Sequence, residues 1–259
     1  MLVLLPPSEG KAPSGRGTAL KLESLSLPGL TEARRAVLDE LAELCAGDEE
    51  KAREVLGLSE GLRGEIAKNT QLRSAGARPA GEIYTGVLHD AWTWLRWTRR
   101  QAAREPLAAG LLRAVGRGPG DGQDPVVPLL DGVRLPGLGA LGAHWRTPMA
   151  AALPEAAGDG LVLDLRSSAY TGAWKPKGEV AGRTATVRVL HAPTRKVVSH
   201  FNKATKGRIV RSLLAAGAAP AGPAELVETL RDLGYEVEVQ EPARAGTAWA
   251  LDVLVDEVH

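Results

Sequence analysis

Residues 161–214 read LVLDLRSSAYTGAWKPKGEVAGRTATVRVLHAPTRKVVSHFNKATKGRIVRSLL, and this stretch decides the fold. Its first five residues, Leu161 to Leu165, form a short apolar run ended by polar residues, the pattern of a strand buried in a sheet. A polar loop with Ser167, Ser168 and Tyr170 follows, then the turn Lys175-Pro176-Lys177. Residues 184–191 and 196–201 carry β-branched side chains with partial alternation and flank Ala192-Pro193-Thr194, which predicts a hairpin. Residues 203–214 predict a helix. At ~100° per residue, Ile209, Val210, Leu213 and Leu214 share one stripe, and Arg208 and Arg211 lie opposite.

Lys203 and Lys206 fall on or beside the apolar stripe, in what this reading takes as the first helical turn. Cations there oppose the helix dipole at roughly 0.3–1 kcal/mol each, and burying them costs more. An anion at that end would reverse both penalties, and free backbone N–H groups would join the two lysines in holding it. The plainer reading is that both lysines snorkel out of an ordinary helix start. Lys175 and Lys177 sit in the loop after the preceding strand, close to Ser167, Ser168 and Tyr170. Several anion-friendly groups could therefore converge on one sheet edge.

Working outward, 259 residues suffice for one large core or two small ones. Lys+Arg 32 against Asp+Glu 31 gives no global field for nucleic acid or anionic membrane, so electrostatic recognition must come from local clustering. The single cysteine, Cys45, excludes an intramolecular disulfide and fits a reducing compartment. No apolar run approaches the ~18 residues of a membrane span, and the apolar start Met1-Leu2-Val3-Leu4-Leu5 meets Pro6-Pro7 at once. A soluble cytoplasmic protein with no membrane partner is expected.

Leu2 to Leu5 predicts a central strand, followed by a loop in which Lys11 is a candidate anion contact at the strand's carboxyl end. A solvated loop lysine is the commoner case. Thr31 can cap a helix with Val37, Leu38, Leu41 and Leu44 on one face and Gly47 at its end. Asp48 can cap the next, and Ser59 a third. Together residues 48–68 have the look of a helix-hairpin-helix, a motif whose turn can take a DNA phosphate, although any short helical hairpin reads alike. Residues 81–86, GEIYTG, predict a short strand entering a turn.

Gly137-Leu138-Gly139-Ala140-Leu141-Gly142 matches G-x-G-x-x-G by letter, but Pro136 stands where the strand of a nucleotide fingerprint belongs. Near the end, Pro223 starts a helix running through Leu233, Gly234 ends it, and residues 235–239 and 247–255 predict a final hairpin. These elements predict an α/β (α+β mixed) fold, a single domain over 1–259 on a central mixed sheet with flanking helices.

The five histidines lack the spacing of a metal site, there is no cysteine pair, and no nucleophile elbow, Walker sequence or EF-hand loop occurs. No metal or other cofactor is expected, and no catalytic residue is assigned.

Several stretches together resemble the YaaA family, the peroxide stress response proteins. They are the opening strand with its Pro-Ser turn and Lys11; residues 55–63; Ile83-Tyr84-Thr85-Gly86; residues 132–135; Leu165-Arg166-Ser167-Ser168-Ala169-Tyr170; Lys175-Pro176-Lys177; residues 199–213 with Lys203, Lys206, Gly207 and Arg211; and the terminal helix with Gly234-Tyr235. The resemblance implies an α/β fold of the family's own type with a basic cleft, and a cytoplasmic protein. It also implies binding to double-stranded or distorted DNA and a role in limiting damage from peroxide and free iron. Lys11, Lys175, Lys177, Lys203, Lys206 and Arg211 would then contact phosphates, with Ser167, Ser168 and Tyr170 supplying neutral hydrogen bonds. The rival is an enzyme that uses the same cleft on a phosphorylated or nucleoside-type small molecule.

One segment departs from the family. Where it carries a strand, an aromatic-Gly-x-x-Arg turn and a Pro-x-Tyr-Arg segment, residues 90–131 are rich in Trp, Arg and Gly. Codons for residues 115–131 can be chosen so that a shifted frame reads W-G-A-V-R-A-T-G-R-I-P-S-Y-R-F-S-M, the missing pattern. Residues 90–131 are thus expected to arise from compensating frameshifts; the alternative is a basic, Trp-rich insertion that stacks on nucleic acid.

Overall fold

The computed structural model describes residues 1–6, 18–25, 27–74, 86–88, 133–240, 242 and 244–256. Lys11, the strand expected over 81–85 and the segment 90–131 lie outside the described residues.

Strands β1 (Leu2–Leu4), β4 (Val162–Asp164), β5 (Thr184–His191) and β7 (Trp249–Val255) run parallel in that spatial order. The strand β6 (Glu236–Gln240) pairs antiparallel on the outer side of β7, so the sheet is mixed, as expected. A separate two-stranded ribbon joins β2 (Arg134–Leu135) to β3 (Gly139–Ala140).

Helices cover both faces, which is why β1 and the start of β4 are apolar on both sides rather than alternating. Leu2, Leu4 and Val162 pack with α1 (Thr31–Ala46), α2 (Glu49–Leu56), α3 (Gly64–Asn69) and α4 (Leu141–Ala157). Val3, Leu5, Leu163 and Leu165 point the other way, toward α7 (Ser199–Ala215) and α8 (Pro223–Asp232). Between β4 and β5 lie two short helices, α5 (Ser168–Thr171) and α6 (Gly178–Gly182), and the crossover carrying them packs Ala173, Trp174 and Val180 on the α4 side. The sheet therefore separates two apolar cores.

Local expectations meet the structure unevenly. Asp48 caps α2 by accepting from the Lys51 amide at 2.7 Å, and Gly57 ends it in the left-handed region at φ 62°. Thr31, by contrast, is the first helical residue, and Leu30 holds the cap position without a side-chain bond. Ser59 precedes a 3₁₀ turn, Glu60–Leu62, again without a capping bond, and α3 begins only at Gly64.

Two corrections bear on function. The second arm of the hairpin expected over 196–201 shrinks to one bridge, Leu190↔Val197; β7 takes one edge of β5 along its length and β4 the first part of the other. Helix α7 accordingly starts at Ser199, and Lys203 and Lys206 stand at its fifth and eighth residues rather than in its first turn. The dipole penalty fades within one turn, so that argument for an anion at these two lysines fails.

The helix α4 answers to no expectation. It spans 17 residues with Pro148 and Pro154 inside it, and buries Leu141, Trp145, Met149, Ala152 and Leu153. Proline normally disrupts a helix interior at about 3 kcal/mol. Burying the four large side chains Leu141, Trp145, Met149 and Leu153, at roughly 1.5–3 kcal/mol each, is of the size needed to offset two such prolines.

Candidate functional site: a basic cleft and a buried lysine

Parallel sheets place ligand-binding groups at the carboxyl ends of their strands. Here β1 and β4 end side by side, the Leu165 amide donating to the Leu4 carbonyl at 2.8 Å. Three charged side chains gather at this end of β4. Asp164, which shares the α4 face with Val162, accepts from Arg166 in two parallel bonds, Nε to Oδ1 at 2.9 Å and Nη2 to Oδ2 at 2.7 Å. Arg166 spends its other donors on the carbonyls of Tyr170 at 3.1 Å and Trp174 at 2.9 Å, and its guanidinium lies 5.5 Å from the Trp174 ring centroid. Two charges out of water survive because nearly every donor and lone pair is used.

Lys206 approaches the same strand end from the opposite face. It is 7 % exposed, and its Nζ donates to the Leu165 carbonyl at 3.1 Å. Burial pushes its amine below the ordinary lysine range, with the Asp164 charge pulling partly back.

Beside this core of charge a cleft of about 560 Å³ opens on the α4 side. Arg146, Ala150 and Pro154 of α4 form one wall, and Gly172, Trp174, Lys175, Lys177 and Val180 the other. Arg146, Lys175 and Lys177 are exposed. Among the described residues, no carboxylate lies within ion-pair distance of any of the three.

The arginines of the 48–68 hairpin are in the opposite condition. Arg63 binds Glu49 at 3.1 Å, Glu50 at 2.7 Å and Glu60, and Arg53 also binds Glu50. Those hydrogen bonds push the Arg63 guanidinium further up, Glu60 contributing most. The amides of Gly57 and Leu58 are committed to carbonyls of the preceding helix, at 3.1 and 3.0 Å. The helical hairpin exists as a shape, but its arginines Arg53 and Arg63, and Lys68, are already neutralised.

The site residues read from the sequence thus fall into two groups. Lys175 and Lys177 line the cleft on the α4 side, next to the loop of Ser167, Ser168 and Tyr170. Ser167 is half-buried and Ser168 exposed, and neither they nor Tyr170 line the cleft itself. Lys203, Lys206 and Arg211 belong to α7 on the other side of the sheet, Lys203 and Arg211 exposed and Lys206 buried. The single convergence expected of the lysines is not what the fold builds. Sequence reasoning also passed over Arg146, Trp174 and the Asp164–Arg166 pair. An aspartate inside the apolar run LVLDL is a signal that a buried cation must be near; Arg146 gave none, because its helix was not legible.

Fold and cleft define a two-faced α/β protein with a cation-lined opening beside the end of a central strand. A family profile described as peroxide stress protein YaaA matches residues 129–241. Among the relatives, UPF0246 protein SCO2297 of Streptomyces coelicolor is 74% identical over 263 residues, covering 100% of both chains. UPF0246 protein CE1889 of Corynebacterium efficiens is 40% identical over 93% of this chain and 96% of its own. UPF0246 protein Cgl1995/cg2186 of Corynebacterium glutamicum is 34% identical over 92% and 95%. The chain belongs to the YaaA family of peroxide stress proteins.

Proposed function

We propose that this protein acts in the cytoplasm as a peroxide stress protein that binds double-stranded or distorted DNA and so helps limit damage by peroxide and free iron. The observation that carries the reading is the set of cations around the cleft, Arg146, Lys175 and Lys177, which have no carboxylate partner among the described residues while the arginines of the hairpin are paired. An unpaired cation is available to a phosphate at no cost in broken ion pairs. Lys203 and Arg211 offer the same chemistry from α7, and Lys11 would add to it; Ser167, Ser168 and Tyr170 would contribute neutral hydrogen bonds. The role toward iron rests on the family's character. Among the described residues no group of three or more His, Cys, Asp or Glu side chains is placed to hold a metal, and no helix is long and apolar enough to cross a membrane.

Affinity for duplex and bulged DNA measured between about 50 and 200 mM salt tests this, since each phosphate contacted adds roughly 0.9 to the log–log slope. Binding that ignores salt, or no binding to either DNA, overturns it.

A second reading is favoured by Lys206. A buried lysine with a lowered pKa at the carboxyl end of a strand is a common catalytic arrangement, suited to a phosphorylated or nucleoside-type substrate. Lys206→Met separates the two: lost turnover of a metabolite with DNA affinity kept favours an enzyme.

A further inference from the structure

The cleft beside Trp174 has a volume that fits neither a duplex nor a bare phosphate. Ligand pockets of about 300–1,000 Å³ enclose small organic molecules, and this one holds about 560 Å³. A double helix, whose major groove alone is ~12 Å wide, could only lie across its mouth. Its lining is also divided in kind. Ala150, Pro154, Val180 and the nearly buried Trp174 supply apolar surface, and Arg146, Lys175 and Lys177 supply three cations.

The apolar part is backed by rigid chemistry. The Arg166 guanidinium lies over the Trp174 ring, and the Trp174 carbonyl and the Asp164 carboxylate fix it in place. A wall braced in this way keeps its shape when empty.

We propose that this cleft is a single-nucleotide pocket: the base lies against Ala150, Pro154, Trp174 and Val180, and the phosphate sits among Arg146, Lys175 and Lys177. The nucleotide is either free or an unpaired residue of DNA drawn out of the stack, and extruding it costs least where the strand is already mismatched or damaged. The DNA source rests on the function proposed above; the free-nucleotide source does not.

The decisive variant is Ala150→Trp. Ala150 is an exposed helical position, so a large side chain there fills the cleft while leaving every cation in place. In one arm, a deoxynucleoside monophosphate is titrated against the protein with inorganic phosphate as control. Saturable nucleotide binding at least tenfold tighter than phosphate, lost in Ala150→Trp, supports the pocket, and equal affinity for the two ligands overturns it. In the other arm, DNA carrying 2-aminopurine at a mismatch reports unstacking by fluorescence. Read at protein concentrations that saturate the DNA for both proteins, a rise with the native protein that Ala150→Trp abolishes assigns the pocket to extruded bases. A fluorescence rise unchanged by Ala150→Trp overturns that assignment. Should the native protein bind no DNA at all, the proposed function fails, and the first arm still decides the pocket.

Discussion

Asp164 and Arg166, two residues apart at the end of β4, face each other in a bidentate ion pair whose side chains are 4 % and 1 % exposed. The backbone amide of Arg166 donates to the same carboxylate at 3.1 Å, so one aspartate both pairs the arginine and shapes the chain that carries it. The pair braces Trp174 and fixes the turn between β4 and the cleft.

Removing the carboxylate strands a guanidinium in the interior. Asp164→Ala is expected to destabilise the protein by about 3–5 kcal/mol, the cost of an uncompensated buried charge. Urea unfolding reads it, and a loss below about 1 kcal/mol would show that the arginine finds water or another partner.

Lys206 leaves a pH signature. Its folded pKa lies below the unfolded value of about 10.4, so between those two values the unfolded chain binds more protons. Stability carried by this group therefore rises as pH climbs through the window and is level on either side of it. Unfolding of native protein and Lys206→Met, compared from neutral pH to about 10.5, should show the difference moving in favour of the native protein; a flat difference means the amine is solvated.

Cys45 is 5 % exposed, and burial pushes its thiol up, with Asn69 offsetting part of the shift. A peroxide-reactive cysteine needs the thiolate and access. Hydrogen peroxide should therefore leave Cys45 unoxidised in the folded protein and modify it once urea is added. Sulfenic or sulfinic acid at Cys45 in the native state, detected by mass spectrometry, would make this protein a direct peroxide sensor instead.

The two cationic regions, cleft and hairpin, should separate in binding assays. Lys175→Ala and Lys177→Ala are each expected to weaken DNA binding and lower the salt slope by about 1. Arg63→Ala breaks an exposed network that solvent already screens and should leave affinity within twofold. The reverse pattern would return DNA recognition to the hairpin.

Residues 90–131 invite a test at the level of the gene. We propose that they come from two compensating frameshifts. Resequencing the locus should reveal the two shifts; a single open frame encoding the same residues disposes of the proposal.

What the sequence made legible was local. The strand before Arg166, the Asp48 cap, the Pro223–Asp232 helix and the final β6–β7 pair each follow from a few neighbouring residues. Helix α4 escaped because Pro148 and Pro154 argue against it from within, and packing of Trp145 and Met149 decides the matter at long range. The site suffered for the same reason. Nothing in the spacing of Lys175, Lys177, Lys203 and Lys206 says that the sheet passes between the two pairs, since a strand's facing is set by partners far away in the chain.

That partition has a consequence for avidity. Cations on α7 and cations around the cleft belong to opposite faces of the sheet, so a polymer reaching both would curl over the rim where β1 and β4 end. Its two grips then act as linked sites whose affinities multiply, as in any bivalent ligand. A short oligonucleotide, able to hold only one of them, should bind far more weakly than its share of the length, and DNA that bends easily should be held best.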